Sequence, residues 1–350
     1  MLKIGVYPFP FSSKNNKYIS LLYTGLSRAA GDFKCEIINC DNKFSKLLKL
    51  SKNSAKFDKN IVHIHWVNSI YGSRFLPKSI ILMVLNFLIL VFVKKIKKFK
   101  IFWTKHNYYS HDFSYPFIDR IGRRILFGLA DKIIVQQESE YERVKQNKKF
   151  AFIPHGNYIG AYGPLGDRQR IRRKLGIGDD QILILSLGIV KPYKKIDSVI
   201  NAFKKTAGPD LKLLIAGQCS EDYAEILKNK ADGSDNILLN LKFIEDGEIP
   251  DYFAAADFSV FWYDGSVLTS GGIMLSLSYG VPVIARNMPA SELIKNNENG
   301  FIYDTETQLT SILNNIKLSQ FNREKIISSM ENLSWEHIAG KLAEEFQKNG

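Results

Sequence analysis

The sequence predicts an α/β protein built from two parallel-sheet domains, on three observations. Short apolar runs of strand length alternate with stretches of helical spacing along the whole chain, the pattern of β-α-β units rather than of hairpins. The 350 residues are too many for one small domain and about right for two. The charge is also divided: residues 1–157 hold 27 Lys and Arg against 10 Asp and Glu, whereas residues 158–350 hold 21 against 25.

The elements of the first domain follow in order. LKIGVY (2–7) is a strand. YISLLYTGLSRAAG (18–31) has helical spacing, with Ile19, Leu22, Tyr23 and Leu26 on one face. CEIIN returns as a strand, and NIVHIHWVN (60–68) is apolar enough for a buried position in a parallel sheet. The apolar run SIILMVLNFLILVFV (79–93) leads into KKIKKFK and then the strand IFWTKHN (101–107). RIGRRILFGLA (120–130) is a helix, DKIIVQQ a strand, and KFAFIPHG (149–156) another.

Residues 157–180, with glycines, a proline and the charged run DRQRIRRK, read as a connector. A second alternating series then runs through QILILSLG (181–188), KLLIAG (212–217), ILLNLKF (237–243), FSVFWY (258–263) and VPVIA (281–285). The final helix, SWEHIAGKLAEEFQ (334–347), opens on a Ser N-cap. The expected domains are therefore 1–160, 161–333 and a C-terminal helix, 334–350, that can return to the first domain.

Composition excludes several classes. Cys35, Cys40 and Cys219 stand at unrelated spacings, which argues against a disulfide framework or a zinc site. The histidines fall on separate strands without ligand spacing, so no metal is implied. Leu2 to Val6 reads as a strand rather than a secretory leader, and a reducing cytoplasm is the default. The basic first half suits an anionic membrane face or nucleic acid, but basic and aromatic residues do not interleave as nucleic-acid recognition requires.

The stretch LTSGGIMLSLSYGVPVIA (268–285) carries the chemistry. Thr269, Ser270, Gly271 and Gly272 form a small-residue turn that opens a helix ending at Gly280. A helix N-terminus presents free N–H groups and a positive dipole end, so it attracts an anion such as a diphosphate. LGIVKPYKK (187–195) offers Lys191 and Lys194 as cations able to stabilise a departing phosphate.

These two stretches, with AAADFSVFWY and the continuation ARNMPASELI, resemble the C-terminal domain of group-1 glycosyltransferases of the GT-B fold. HIHW, TKHNYYSHD and IPHGNY resemble the matching N-terminal domain. The resemblance implies two Rossmann-like domains facing a cleft, a GDP- or UDP-sugar on the C-terminal one and the acceptor on the N-terminal one. It implies no further cofactor. Lys194 matches a family lysine, while Ile189 stands where an arginine is usual, with Lys191 as its stand-in. The two glutamates of retaining members align with Val267 and Leu275, so a divergent branch is implied and the stereochemistry stays open. Glu292 lies where a glutamate is usual, or is a carboxylate at a helix N-terminus; Phe243 and Ile244 fall on the nucleobase side.

In the first domain, KHNYYSHD follows a strand. Asp112 is the candidate base for an inverting reaction, and His106 a candidate donor contact. Asn107, His111 and His155 are assigned to the cleft. Of His63 and His65, one is expected to be a satisfied core group.

The run 79–93 has 15 residues, fewer than the roughly 20 of a spanning helix. It reads either as a core helix or as an interfacial helix followed by Lys94, Lys95, Lys97, Lys98 and Lys100 on anionic headgroups. The implied protein is a cytoplasmic hexosyltransferase, peripheral on the inner face of the cell membrane. It would act on a lipid-linked oligosaccharide in bacterial surface polysaccharide synthesis, with a sugar-nucleotide epimerase of the same fold as the alternative and a nucleic-acid-binding protein as a remote one.

Overall fold

A computed structural model describes residues 2–9, 17–29, 33–38, 44–110, 113–206, 210–264, 267–317 and 321–349. The chain divides into two compact units, Met1–Gly156 with Leu333–Gly350, and Asn157–Asn332. The divisions, after Gly156 and Asn332, fall four residues and one residue before the expected 160 and 333.

Unit 1 holds β1 (Leu2–Phe9), α1 (Tyr18–Ala29), β2 (Phe33–Ile37), α2 (Lys46–Leu50), β3 (Lys59–Ile64), α3 (Leu76–Lys95), β4 (Lys100–Thr104), α4 (Pro116–Leu129), β5 (Lys132–Val135), α5 (Glu138–Val144) and β6 (Phe150–Phe152). Its strands form one sheet in the order β2-β1-β3-β4-β5-β6, every described pair parallel. Parallel strands bury both faces, and Ile4, Val6, Ile61 and Ile101 are fully enclosed. The last helix, α13 (Trp335–Asn349; α6–α12 belong to unit 2), packs along α1. The Ser334 hydroxyl accepts from the His337 amide at 3.3 Å, as an N-cap does.

Unit 2 comprises α6 (Arg168–Lys174), β7 (Ile182–Leu187), α7 (Ile196–Lys204), β8 (Leu211–Ala216), α8 (Glu221–Ala231), β9 (Ile237–Asn240), α9 (Ile249–Ala255), β10 (Phe258–Phe261), α10 (Gly271–Ser278), β11 (Val283–Arg286), β12 (Gly300–Tyr303), α11 (Glu306–Asn315) and α12 (Arg323–Ser328). The sheet order β12-β11-β10-β7-β8-β9 reverses direction between β7 and β10. Such a switch point opens a crevice at the C-terminal ends of its two strands, the usual ligand position in open α/β sheets. β12 was not anticipated: GFIY is short and its glycine disguises the apolar pattern.

The expectation of a connector over 157–180 is corrected. DRQRIRRK forms α6, capped by Asp167, whose carboxylate accepts from the Arg170 amide. Arg172 is 1% exposed and reaches Asp257 at 3.1 Å and the Ala255 carbonyl at 3.0 Å. Arg168 pairs with the same Asp257 at 2.5 Å and donates to the Ala254 and Ala255 carbonyls. Two arginines thus satisfy the C-terminal carbonyls of α9, and the charge that suggests a linker is spent inside the fold. Breaking such a pair leaves an uncompensated buried charge. Asp257→Ala is expected to lower the stability of unit 2 by about 3–5 kcal/mol, read from urea unfolding; an unchanged midpoint would show Arg172 satisfied by carbonyls alone.

Candidate functional site

The switch point of unit 2 brings two sequence-predicted stretches together. From β10 the chain passes Tyr263 and reaches the N-terminus of α10. Ser270 caps that helix, its hydroxyl accepting from the Ile273 amide at 3.2 Å. The same hydroxyl lies 2.9 Å from the Tyr263 hydroxyl. From β7 the chain passes Gly188 and makes a single turn at Pro192–Lys194. The Lys194 ammonium stands 5.9 Å from the centre of the Tyr263 ring, within cation–π range. Tyr193 stacks on the Tyr263 ring with centres 6.3 Å apart, and its carbonyl accepts from the Asp264 amide at 3.0 Å. Tyr263 therefore couples the lysine to the helix start, and a fixed cation sits beside free N–H groups.

The small residues of this turn have different reasons. A Cβ on Gly272 would lie 2.7 Å from the Phe261 ring, so packing demands glycine there. A Cβ on Gly271 would meet only the Tyr158 hydroxyl, at 3.5 Å. Gly271 is thus open toward solvent, whereas Ser270 is buried and committed to the cap. Gly280 ends α10 at φ +68°, the left-handed C-cap that glycine adopts without strain. Thr269 lies just before the cap. Lys191 begins the turn of Lys194 in extended conformation.

The remaining unit 2 candidates are dispersed. Ile189 is 41% exposed beside the turn. Val267 is buried and Leu275 packs against the core under α9, so apolar residues occupy both glutamate positions. Phe243 is exposed, while Ile244 packs into the same core. Glu292 is not at a helix N-terminus: it closes the turn Pro289–Ser291, its amide donating to the Pro289 carbonyl.

In unit 1 the histidines gather at the C-terminal edge of the sheet. The His63 imidazole bonds the Tyr23 hydroxyl at 2.7 Å and Thr104 Oγ1 at 2.8 Å. His65 Nε2 meets the same Tyr23 hydroxyl at 2.8 Å, and its Nδ1 lies 3.3 Å from His106 Nε2. Both histidines are therefore satisfied core groups, not one. His106 stacks on Trp66 with ring centres 4.9 Å apart, and Tyr18 packs on His106, His155 and Trp335. His155, expected to face a cleft, is buried in this cluster with Nδ1 2.6 Å from the Gly156 carbonyl oxygen. Burial disfavours the imidazolium. It holds His63 and His106 down to about 3 and His155 to about 4, and places His65 well below its ordinary value.

The loop after β4 is pinned by two carboxylates that sequence reasoning missed. Asp119 accepts from the Tyr71 hydroxyl at 2.7 Å, the Ser110 hydroxyl at 2.8 Å and Arg123 Nε at 2.8 Å. Burial alone would raise its pKa, but Arg123 and these donors hold it below the usual value. Glu140 accepts from Lys105 and from the Tyr108 hydroxyl, both at 2.6 Å. Arg123 also donates to the Asn107 carbonyl at 2.9 Å. His111 and Asp112 lie outside the described residues. The overlooked signal is a cation or hydroxyl in the loop matched by a carboxylate in the first turn of α4 or of α5.

The apolar run is longer than expected. α3 covers 20 residues, because Pro77 suits a first turn and Lys94 and Lys95 suit the last. Its 18-residue apolar window has mean hydropathy 2.4 and is 33% buried, so the length argument against spanning fails. Phe87, Leu90 and Val93 face the core, while Ile81, Val84, Leu85 and Leu88 are exposed. Lys94 is not available to headgroups: it pairs with Asp131 at 2.9 Å and donates to the Leu129 carbonyl. Lys95, Lys98 and Lys100 are exposed and Lys97 half-buried.

Residues 167–331 match the family model described as glycosyl transferases group 1. The alpha-monoglucosyldiacylglycerol synthase of Streptococcus pneumoniae is 29% identical over 188 residues, covering 51% of this chain and 41% of that protein. The chain thus aligns with less than half the length of this curated relative. Among solved structures, the Anabaena protein HepE in complex with UDP and glucose matches with TM-score 0.72 at 14% identity, over 99% of this chain and 100% of that one. Sucrose-phosphate synthase from Thermosynechococcus elongatus matches with TM-score 0.72 at 15% identity, over 99% of each chain. Both share the α/β fold described above.

The neutral histidine cluster makes unit 1 acid-sensitive. Its folded pKa values lie below the unfolded value near 6.5, so the unfolded chain takes up protons first as pH falls. Stability is full above pH 6.5 and declines toward pH 4, by up to about 1.4 kcal/mol per pH unit for each histidine. Urea midpoints at pH 7 and pH 5 measure this. Equal midpoints would mean that the cluster is charged or hydrated in the folded protein.

Proposed function

From its membership of the group-1 glycosyltransferases of GT-B architecture, we propose that this protein transfers a hexose from a GDP- or UDP-sugar to a hydroxyl of a lipid-linked glycan, at the inner face of a bacterial membrane during surface polysaccharide assembly. The observation that carries the donor half is the meeting of Lys194 with the α10 N-terminus at the switch point of unit 2. A diphosphate placed there receives backbone N–H groups at Gly271 and a cation from Lys194, with Lys191 nearby in sequence. The bond from the anomeric carbon to the diphosphate breaks, a bond to the acceptor oxygen forms, and nucleoside diphosphate leaves. Lys194 answers charge that grows as the old bond breaks, so it favours the transition state over the bound substrate. The acceptor proton passes to Asp112 if the configuration inverts. His106, Phe243, Ile244 and Glu292 remain candidates for contacts to the donor.

The acceptor half is supported by the basic balance of residues 1–157, by the exposed apolar face of α3, and by a relative named as a glycolipid synthase. UDP and glucose in the HepE complex support a nucleotide-sugar donor. The lysines Lys95, Lys97, Lys98 and Lys100 carry the proposed attraction to anionic headgroups, each contributing about 1 kcal/mol near such a surface.

Lys194→Ala is expected to cost about 2–4 kcal/mol of transition-state stabilisation in kcat/KM; near-native turnover would remove it from the mechanism. Gly271→Val should abolish calorimetric binding of the preferred sugar nucleotide without lowering Tm, whereas Gly272→Val should lower Tm through Phe261. Retained affinity in a folded Gly271→Val protein would move the diphosphate elsewhere. Changing Lys95, Lys97, Lys98 and Lys100 together to Gln, with Lys94 kept for its role with Asp131, should release the protein from anionic liposomes in flotation. Equal flotation of both forms would make the lysines bystanders.

A further inference from the structure

Unit 1 carries a concavity lined mostly by apolar side chains. It is a groove of about 870 Å³ between α2 and α3, within the roughly 300–1,000 Å³ of small-molecule sites. Phe44 and Leu48 form one wall, Leu85, Ile89 and Phe92 the other, and Phe9 and Ile70 close the base. Its side-chain polar groups are those of Ser45, Ser69 and Asn86. The Asn86 amide is committed, donating to the Ile70 carbonyl at 2.5 Å. Among the described residues that line the groove none is charged, so they offer a phosphate no cation.

We infer that this groove receives the hydrocarbon chain of the lipid-borne acceptor, which rests on the acceptor reading above and adds where the tail goes. Three features argue for a hydrocarbon chain rather than a protein segment or a polar ligand. The groove is continuous with the exposed apolar face of α3, since Leu85, Leu88 and Phe92 belong to both. From Leu82 to Phe92 the helix rises about 15 Å, close to the hydrocarbon depth of one leaflet, half of about 30 Å. The lysines following α3 supply the charge complement to an anionic lipid surface beside it. The lining residues Ser69 and Ile70 also follow Trp66, the residue that stacks on His106, by three and four positions. A lipid seated there would hold its polar end near the sheet edge where the buried histidines stand.

The test uses the full chain without vesicles and cis-parinaric acid, an 18-carbon fluorescent fatty acid, as probe. Wild type should bind it saturably. Linear alcohols of 8 to 16 carbons should displace it, each added methylene strengthening competition about fourfold until the groove is full. Ser45→Trp and Ser69→Trp change exposed rim residues and should fold, as unchanged Tm and unchanged sugar-nucleotide affinity would verify; each should weaken probe binding at least tenfold. Ile81→Gln with Val84→Gln alters the α3 face outside the groove and should leave probe binding intact. Probe affinity unchanged in both folded Trp variants, or lost equally in the Ile81/Val84 variant, overturns the groove. The acceptor reading is judged separately by liposome flotation: a wild-type protein that ignores anionic vesicles, yet loses the probe in Ser45→Trp, keeps the hydrocarbon site and overturns its assignment to a lipid acceptor.

Discussion

The hydrogen bond between Tyr263 and Ser270 holds together the corner of unit 2 proposed to receive the diphosphate. Ser270 must cap α10, because the first N–H groups of a helix have no partners within it. Tyr263 leaves β10 and fixes that cap against the end of the neighbouring switch-point strand, while its ring carries Lys194. Gly272 lies directly on Phe261, so the helix start is pressed onto the sheet. On the proposed function, the lysine, the first amides of α10 and the strand ends form one preorganised corner for the diphosphate. Preorganisation of this kind is the main source of electrostatic catalysis, since dipoles already oriented need no reorientation as charge develops.

Unit 1 solves a different problem. Four of its histidines, with Tyr18, Tyr23, Trp66 and Trp335, form a polar-aromatic layer at the same edge of the other sheet. Each imidazole finds a hydroxyl, a carbonyl or another ring nitrogen, so burial is tolerated while the rings stay neutral. The neighbouring loop is tied down by Asp119 and Glu140 through hydroxyl, guanidinium and ammonium donors. Charge is thus placed around the loop and withheld from the layer beneath it.

α3 joins fold and surface. A helix apolar all round belongs in a core or in lipid, and this one divides the two roles by face. Phe87, Leu90 and Val93 complete the core of unit 1, and Asn86 ties the helix to the turn after β3. The opposite face has no such partner among the described residues, and α4 beside it also exposes Phe117, Ile121 and Ile125. An apolar surface of this extent on a strongly basic unit is costly in water and favourable at an anionic bilayer.

Much of this was legible in the sequence. Periodicity located most strands, because a buried parallel strand must be apolar over its whole length, and the turn at 268–272 followed by helical spacing located α10. The resemblance to group-1 glycosyltransferases rested on order and spacing, both of which are linear properties. Other features are not linear. The charged run of α6 looked like a linker because its partner, Asp257, lies 85 residues away from Arg172. His63 and His65 could not be divided into structural and functional members, because Tyr23, Thr104 and His106 converge on them only in the folded sheet. Lys94 could not be separated from its neighbouring lysines until Asp131 was placed beside it. The sequence by itself determined the elements, their alternation and the charge of each half, since these depend on local pattern and composition. Tertiary structure alone decided which charges are spent on the fold, which glycine is held by packing and which is open, and which face of α3 is left bare, since each depends on residues distant in the chain.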